Sequence, residues 1–282
     1  MIASIKLRNG LQVPQIGIGT WQITDRTVMN SVICNATGLG YKLIDTAAAY
    51  SNEIAIAKAI AESNVSRDSI MLSDKVWNTC RGYMETQEAC KRSLKKLKTD
   101  YFDIYLIHWP ASPKLHEDWR EINAETWRGM EQLYKDGFVR SIGVCNFKEH
   151  HLEELSKTAS ILPFINQIEF HPGFRQTELV SYCKNNNIQI EASSPLGNGQ
   201  ILSNEVLLKL AEKYGKTPAQ ICLRWIIQGG YISIPKTQNV DRLKENIDVF
   251  DFILSNEDVE LINSIPYCGG IGLDSDEVTE FG

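Results

Sequence analysis

What most constrains this chain is a repeat of pattern: eight times, a short β-branched run is followed by a polar loop and then by a stretch with amphipathic helical spacing. Strands are predicted at 16–19, 42–46, 70–75, 102–108, 141–145, 164–168, 188–192 and 232–235. Helices are predicted at 25–38, 52–63, 84–98, 123–137, 148–157, 176–186, 204–228 and 239–247. Within the seventh segment, Thr217-Pro218 reads as an N-cap followed by proline at the first helical position, which divides it in two. Gly137, Gly215, Gly229 and Gly230 stand where helix C-termini are expected. Ahead of the repeat, alternating runs at 4–7 and 11–13 flank Arg8-Asn9-Gly10, a hairpin signal.

Eight βα units allow a doubly wound open sheet or a closed barrel, and the count favours the barrel. A dinucleotide-binding open sheet also needs Gly-x-Gly-x-x-Gly after its first strand, whereas Gly17-Ile18-Gly19 continues into Thr20-Trp21-Gln22. The expected fold class is therefore α/β, a (β/α)8 TIM barrel with an N-terminal β-hairpin closing the bottom, one domain over 1–282.

Composition narrows the partners. Against 35 Asp+Glu stand 29 Lys+Arg, a net charge of −6, with no stretch that concentrates cations, so nucleic acid is not expected. The longest apolar runs are too short to span a bilayer, and the start lacks the apolar block of a signal peptide, so a cytoplasmic protein with no membrane partner is expected. The seven cysteines, Cys34, Cys80, Cys90, Cys145, Cys183, Cys222 and Cys268, form no Cys-x-x-Cys pair. His150 and His151 are adjacent, which predicts that they point to different sides of a helix, and no carboxylate–histidine cluster is visible; no metal is assigned.

In a barrel, chemistry is expected at the C-terminal ends of the strands. There stand Asp45, closely followed by Tyr50, then Lys75 and His108, with Trp21, Trp77 and Trp109 on the same rim. Each has an ordinary reading taken singly: Asp45 as a helix cap, Lys75 as a solvated rim charge, His108 as a structural histidine, Tyr50 and the tryptophans as core aromatics. Their conjunction points elsewhere. A tyrosine is a poor acid at pH 7, with a reference pKa of ~10, but a neighbouring ammonium stabilises phenolate and a buried carboxylate keeps that ammonium charged. Asp, Lys and Tyr together make a proton donor.

The motifs Asp45-Thr46-Ala47-x-x-Tyr50-x-Asn52-Glu53, strand-end Lys75, Leu106-Ile107-His108-Trp109-Pro110, Ile142-Gly143-Val144-Cys145-Asn146-Phe147, Asn166-Gln167-Ile168-Glu169-Phe170-His171-Pro172 and Ile234-Pro235-Lys236-Thr237 resemble the aldo-keto reductase family, in the family's order. The resemblance implies a barrel that binds NADPH/NADP+ across its C-terminal face and reduces aldehydes or ketones. It implies Tyr50 as general acid, Lys75 and Asp45 as its tuning pair, and His108 as the group that orients the carbonyl. Asn146 and Gln167 match positions that bond the nicotinamide carboxamide, with Ser193 and Leu196 also along the cofactor. Lys236, Thr237 and Arg242 match the 2′-phosphate site, and Glu245 and Asn246 the adenine end. Trp21, Trp77 and Trp109 would line the substrate pocket.

Two positions depart from the family pattern. Cys145 stands where the family usually has serine, and Ser193 where it usually has an aromatic ring stacked on the nicotinamide. Short rim loops point to an open pocket for small polar carbonyls, and the compact length and the tail Gly272-Leu273-Asp274-Ser275-Asp276-Glu277-Val278 are similar to the microbial and protozoal group of 2,5-diketo-gluconate reductase, methylglyoxal reductase and prostaglandin F synthase. The expected partner is a small carbonyl substrate and the chain a monomer. One alternative on the same fold is a regulatory, cofactor-sensing subunit with little turnover, as in potassium-channel β subunits. Another is a barrel hydrolase or isomerase that uses Asp45 and His108 without nucleotide.

Overall fold

The computed structural model describes residues 2–267 and 273–277; Cys268, Gly272 and Val278 lie outside the described residues. Eight parallel strands run in chain order: β3 (Ile18–Gly19), β4 (Leu43–Asp45), β5 (Met71–Val76), β6 (Ile104–Ile107), β7 (Ile142–Cys145), β8 (Ile165–Glu169), β9 (Gln189–Ser193) and β10 (Ile232–Ser233). The sheet closes on itself. Parallel bridges join Ile16 to Ser233 and Gly19 to Lys236, with Gly17 N–H donating to the Ser233 carbonyl at 2.9 Å and Gly19 N–H to that of Pro235 at 3.1 Å. The strands are buried on both faces, as parallel strands under helices must be, so they read as apolar runs. Gly143 is required by this packing: a Cβ there would lie 2.5 Å from the Ile165 carbonyl oxygen of the next strand.

The hairpin β1 (Ser4–Lys6) and β2 (Gln12–Pro14) pairs antiparallel, Ile5 opposite Val13, around a turn in which Gly10 has φ +92°. Its tip reaches the N-terminal ends of the barrel strands. Arg8 donates to the carbonyls of Leu162, Pro163 and Asn186, and Asn9 Nδ2 to that of Arg140. The hairpin thus covers the end opposite the strand C-termini, as expected.

Outside the barrel lie α1 (Arg26–Gly38), α2 (Glu53–Glu62), α3 (Tyr83–Leu97), α4 (Trp119–Lys135), α5 (Glu149–Ser156), α6 (Thr177–Asn185), α7 (Glu205–Tyr214), α8 (Pro218–Gln228), α9 (Val240–Ile247) and α10 (Asn256–Asn263). The division of the seventh segment is borne out: Thr217 and Gln220 form a reciprocal capping box with Pro218 at the start of α8. Gly137, Gly215 and Gly230 carry the positive φ of helix ends. The sequence reading missed α10, although Ser255, whose hydroxyl accepts from Asp258 N–H, is a capping signal of the same kind. Among the described residues no helix is long and apolar enough to cross a membrane.

The expectation for His150 and His151 is overturned. Their rings lie 4.0 Å apart, and both Nε2 atoms approach Asp276 Oδ1, at 3.0 and 3.1 Å. A carboxylate–histidine cluster therefore exists. Adjacent helical residues diverge by only about 100°, and in the first turn of α5 a segment crossing the helix N-terminus meets both. His151 Nδ1 accepts the Lys148 N–H at 3.1 Å, which leaves the proton of the neutral ring on Nε2, toward Asp276.

Candidate active site

Tyr50 is carried by one 3-10 turn, Ala48–Tyr50, that follows β4 almost at once and leaves through Ser51 in the left-handed region, φ 55°. Asn52 latches this loop to the barrel mouth. Its Oδ1 accepts from Thr46 Oγ1 at 2.8 Å, and its Nδ2 donates to the Thr20 carbonyl at 2.9 Å and that of Ile23 at 3.3 Å. Asp45 ends β4 and does not cap the following helix. It is bound instead by Lys75 of β5, whose Nζ donates to both carboxylate oxygens and to the Thr46 carbonyl, each at 2.8 Å.

Lys75 is wholly buried, and its ammonium lies 5.2 Å from the Tyr50 ring centroid. The rim reading of Lys75 is excluded. Burial alone would push its ammonium down, but Asp45, followed by Tyr50, holds it above its usual range. Burial drives the Tyr50 phenol well above its ordinary value, against the pull of Lys75 and with the push of Asp45. The phenol is therefore protonated at neutral pH, as a proton donor must be.

His108 follows β6 and sits edge-on to two rings, Tyr50 at 5.6 Å and Trp77 at 5.0 Å between centroids. Burial, then the Lys75 charge, pushes it well below its ordinary range, so the imidazole is neutral. Its Nδ1 is buried without a hydrogen-bond partner among the described residues. Trp109 lies nearly parallel to the His108 ring at 6.5 Å, while Trp21, just after β3, is 40% exposed. Asp45, Lys75, Tyr50, His108, Trp77 and Trp109 thus converge as the sequence suggests.

The cofactor candidates spread from this centre. Asn146, held in the left-handed region at φ 63°, donates from Nδ2 to the His108 carbonyl at 3.0 Å and to Cys145 Sγ at 3.1 Å, which leaves its Oδ1 as acceptor. Gln167 is 2% exposed, and its Nε2 is committed inward, to Asp45 Oδ1 at 3.0 Å and to Glu191 Oε1. Its own Oε1 accepts from the Cys145 thiol at 3.6 Å. Burial pushes that thiol up, so Cys145 is a neutral thiol and no nucleophile. Ser193 ends β9, half-buried, and Leu196 follows it, partly buried against the core.

Beyond β10, Lys236 and Arg242 are exposed and have no ion-pair partner among the described residues. Thr237 is buried, and its hydroxyl takes the Asn239 N–H at 3.1 Å. Arg242, Glu245 and Asn246 do not present equally. Arg242 is exposed, Glu245 accepts from Thr217 Oγ1, and Asn246 is buried.

Sequence reasoning missed Glu191. The register places Cys145, Gln167 and Glu191 directly opposite one another across β7, β8 and β9, so all three belong to one row of the barrel interior. Glu191 is wholly buried and its Oε2 has no hydrogen-bond partner. An acid between the apolar Ile190 and Ala192 in the middle of a strand was the available signal.

The comparisons with known proteins agree with this geometry. Residues 15–266 match the aldo/keto reductase family. Over 275 residues the chain is 45% identical to the glyoxal reductase of Bacillus subtilis (strain 168), covering 98% of this chain and 97% of that one. It is 41% identical over 275 residues to a methylglyoxal reductase of Escherichia coli (strain K12), with 97% of each chain covered. Among solved structures, a mutant of the protein Gox0644 in complex with NADPH superposes with a TM-score of 0.92 at 38% identity, covering 99% of each chain. A barrel that buries a lysine–carboxylate pair beneath a tyrosine and a neutral histidine, matched along nearly its whole length, belongs to the aldo/keto reductase family.

Proposed function

We propose that this protein reduces small aldehydes and ketones to alcohols with NADPH, using Tyr50 as general acid. The observation that carries the reading is the wholly buried Lys75, bound to Asp45 and facing the phenol of Tyr50 next to a neutral His108.

The donor set suits the cofactor. Lys236, in the loop before α9, and Arg242, in its first turn, offer cations without ion-pair partners among the described residues, which fits a phosphate dianion. Asn146 Oδ1 is left as an acceptor, and Gln167 Oε1, which takes the Cys145 thiol, keeps a second lone pair, which fits the N–H groups of a carboxamide. When bound, NADPH supplies the hydride. As negative charge gathers on the substrate oxygen, the Tyr50 hydroxyl gives it a proton, and the neutral imidazole of His108 holds that oxygen by an N–H donor. Lys75 lowers the cost of the phenolate that remains, and Asp45 keeps Lys75 charged. Trp77 and Trp109 wall the site and exclude water from the developing charge.

The named activities of the relatives point to small dicarbonyls such as glyoxal and methylglyoxal, and the short rim is consistent with substrates of that size. The test is the rate of NADPH consumption with a panel of small aldehydes, dicarbonyls, keto sugars and steroid ketones. Turnover is expected for the small dicarbonyls, with NADH a poorer donor. Absence of carbonyl-dependent turnover across the panel would refute the reading.

A further inference from the structure

The barrel interior holds more acid than the reaction described above uses. We propose that Glu191 is a positioning residue for the reaction: through the Gln167 amide it shares one hydrogen-bonded unit with Asp45, and its charge state sets how readily Tyr50 gives up its proton. This rests on Tyr50 as general acid.

The geometry is a bridge. Gln167 Nε2 contacts Asp45 Oδ1 on one side and Glu191 Oε1 on the other, so the two carboxyl groups are held by a single amide nitrogen. The groups facing Glu191 are Asp45 from β4, Lys75 from β5, Cys145 from β7 and Gln167 from β8. Lys75 is the one cation in this set, and its Nζ already donates to Asp45 and Thr46. Among the described residues Glu191 therefore has no cation of its own and its Oε2 is unpartnered, and it is buried. A carboxylate so placed is expensive, and the neutral acid costs less. Burial first and Asp45 second push the Glu191 carboxyl up to about 7. It therefore changes charge in the neutral range.

When Glu191 is neutral, Lys75 serves one carboxylate and stabilises phenolate well. When Glu191 ionises, a second negative charge joins the cluster, phenolate becomes costlier, and Tyr50 becomes a weaker acid. The predicted consequence is a fall in kcat for carbonyl reduction of about 3- to 10-fold as pH rises through neutrality. His108 cannot produce this step because it is held neutral well below that range. Asp74 titrates nearby, at about 8, but belongs to the opposite face of β5 and provides the control.

The test compares wild type, Glu191→Gln and Asp74→Asn by kcat against pH with methylglyoxal and NADPH. The inflection is expected in wild type and Asp74→Asn and absent in Glu191→Gln, whose side chain can still accept from Gln167. Infrared difference spectra between pH 6 and pH 8 supply a readout independent of turnover. Because Asp74 also loses a proton near this range, the spectra are compared in the Asp74→Asn background: a buried carboxylic acid band lost with rising pH there must be missing once Glu191→Gln is added. An inflection that survives in Glu191→Gln, or an unchanged infrared difference, overturns the proposal. A wild type with no carbonyl reduction at all fails the functional reading instead, and the infrared result then decides the charge state of Glu191 by itself.

Discussion

Replacing Lys75 by methionine tests the buried pair on which the site is built. The substitution keeps the length of the side chain and removes an ammonium that donates to both Asp45 oxygens at 2.8 Å. Asp45 is 2% exposed, so water cannot replace the lost partner, and only Gln167 Nε2 at 3.0 Å remains. Removing one member of a buried ion pair costs about 3–5 kcal/mol, and the surviving amide contact favours the lower end. For a chain of this size, at ~2–4 °C per kcal/mol, Tm should fall by about 6–15 °C. The pH dependence has a definite sign. A buried carboxylate stripped of its cation costs most while it is ionised, so the deficit is largest at alkaline pH and shrinks as pH falls. Adding Asp45→Asn removes the stranded charge and should recover at least about 2 kcal/mol, because a neutral pair costs less to bury than one unpaired ion. Urea unfolding at pH 5 and pH 8 reads both effects. The reasoning fails if Lys75→Met is as stable as wild type at pH 8, or if the double variant is no more stable than the single one.

Two further outcomes follow from charges elsewhere. Burial and then Glu53 hold Asp74 up at about 8, so wild type should lose stability as pH rises from ~4 toward 8, the window in which the unfolded chain has released a proton that the folded one keeps. Asp74→Asn should flatten that slope, and parallel unfolding profiles for the two proteins would contradict it. Arg242, exposed and without an ion-pair partner among the described residues, should act on the 2′-phosphate alone. Arg242→Met should therefore weaken NADPH binding by roughly 10-fold, the lower end for a bond to a charged group, with NADH nearly unaffected. The wild-type preference should decline with added salt, and equal losses for both cofactors in a fluorescence titration would assign Arg242 to the fold instead.

Much of the architecture is written in local chemistry. The parallel strands are apolar because both faces are covered, and Thr217-Pro218 marks a helix start because the hydroxyl takes a free N–H and proline lacks one. Asp45, Tyr50, Lys75 and His108 are legible because strand ends in a barrel are brought together whatever lies between them. What the sequence hides depends on register and on distant segments. Glu191 matters because β8 places Gln167 opposite it, which no one-dimensional pattern displays. His150 and His151 converge because a segment more than a hundred residues away supplies Asp276. Gln167 turns inward because Asp45 and Glu191 both need a donor, a competition visible only once three strands are paired.

The central claim is that Tyr50 donates the proton, and Tyr50→Phe tests it most directly. The ring, its contact with His108 and the buried Lys75–Asp45 pair can all remain, while the only proposed donor is removed. Single-turnover reduction of methylglyoxal by the preformed NADPH complex should slow by ~10²–10⁴-fold, with NADPH affinity nearly intact. A variant that keeps more than half of the wild-type rate would contradict the account.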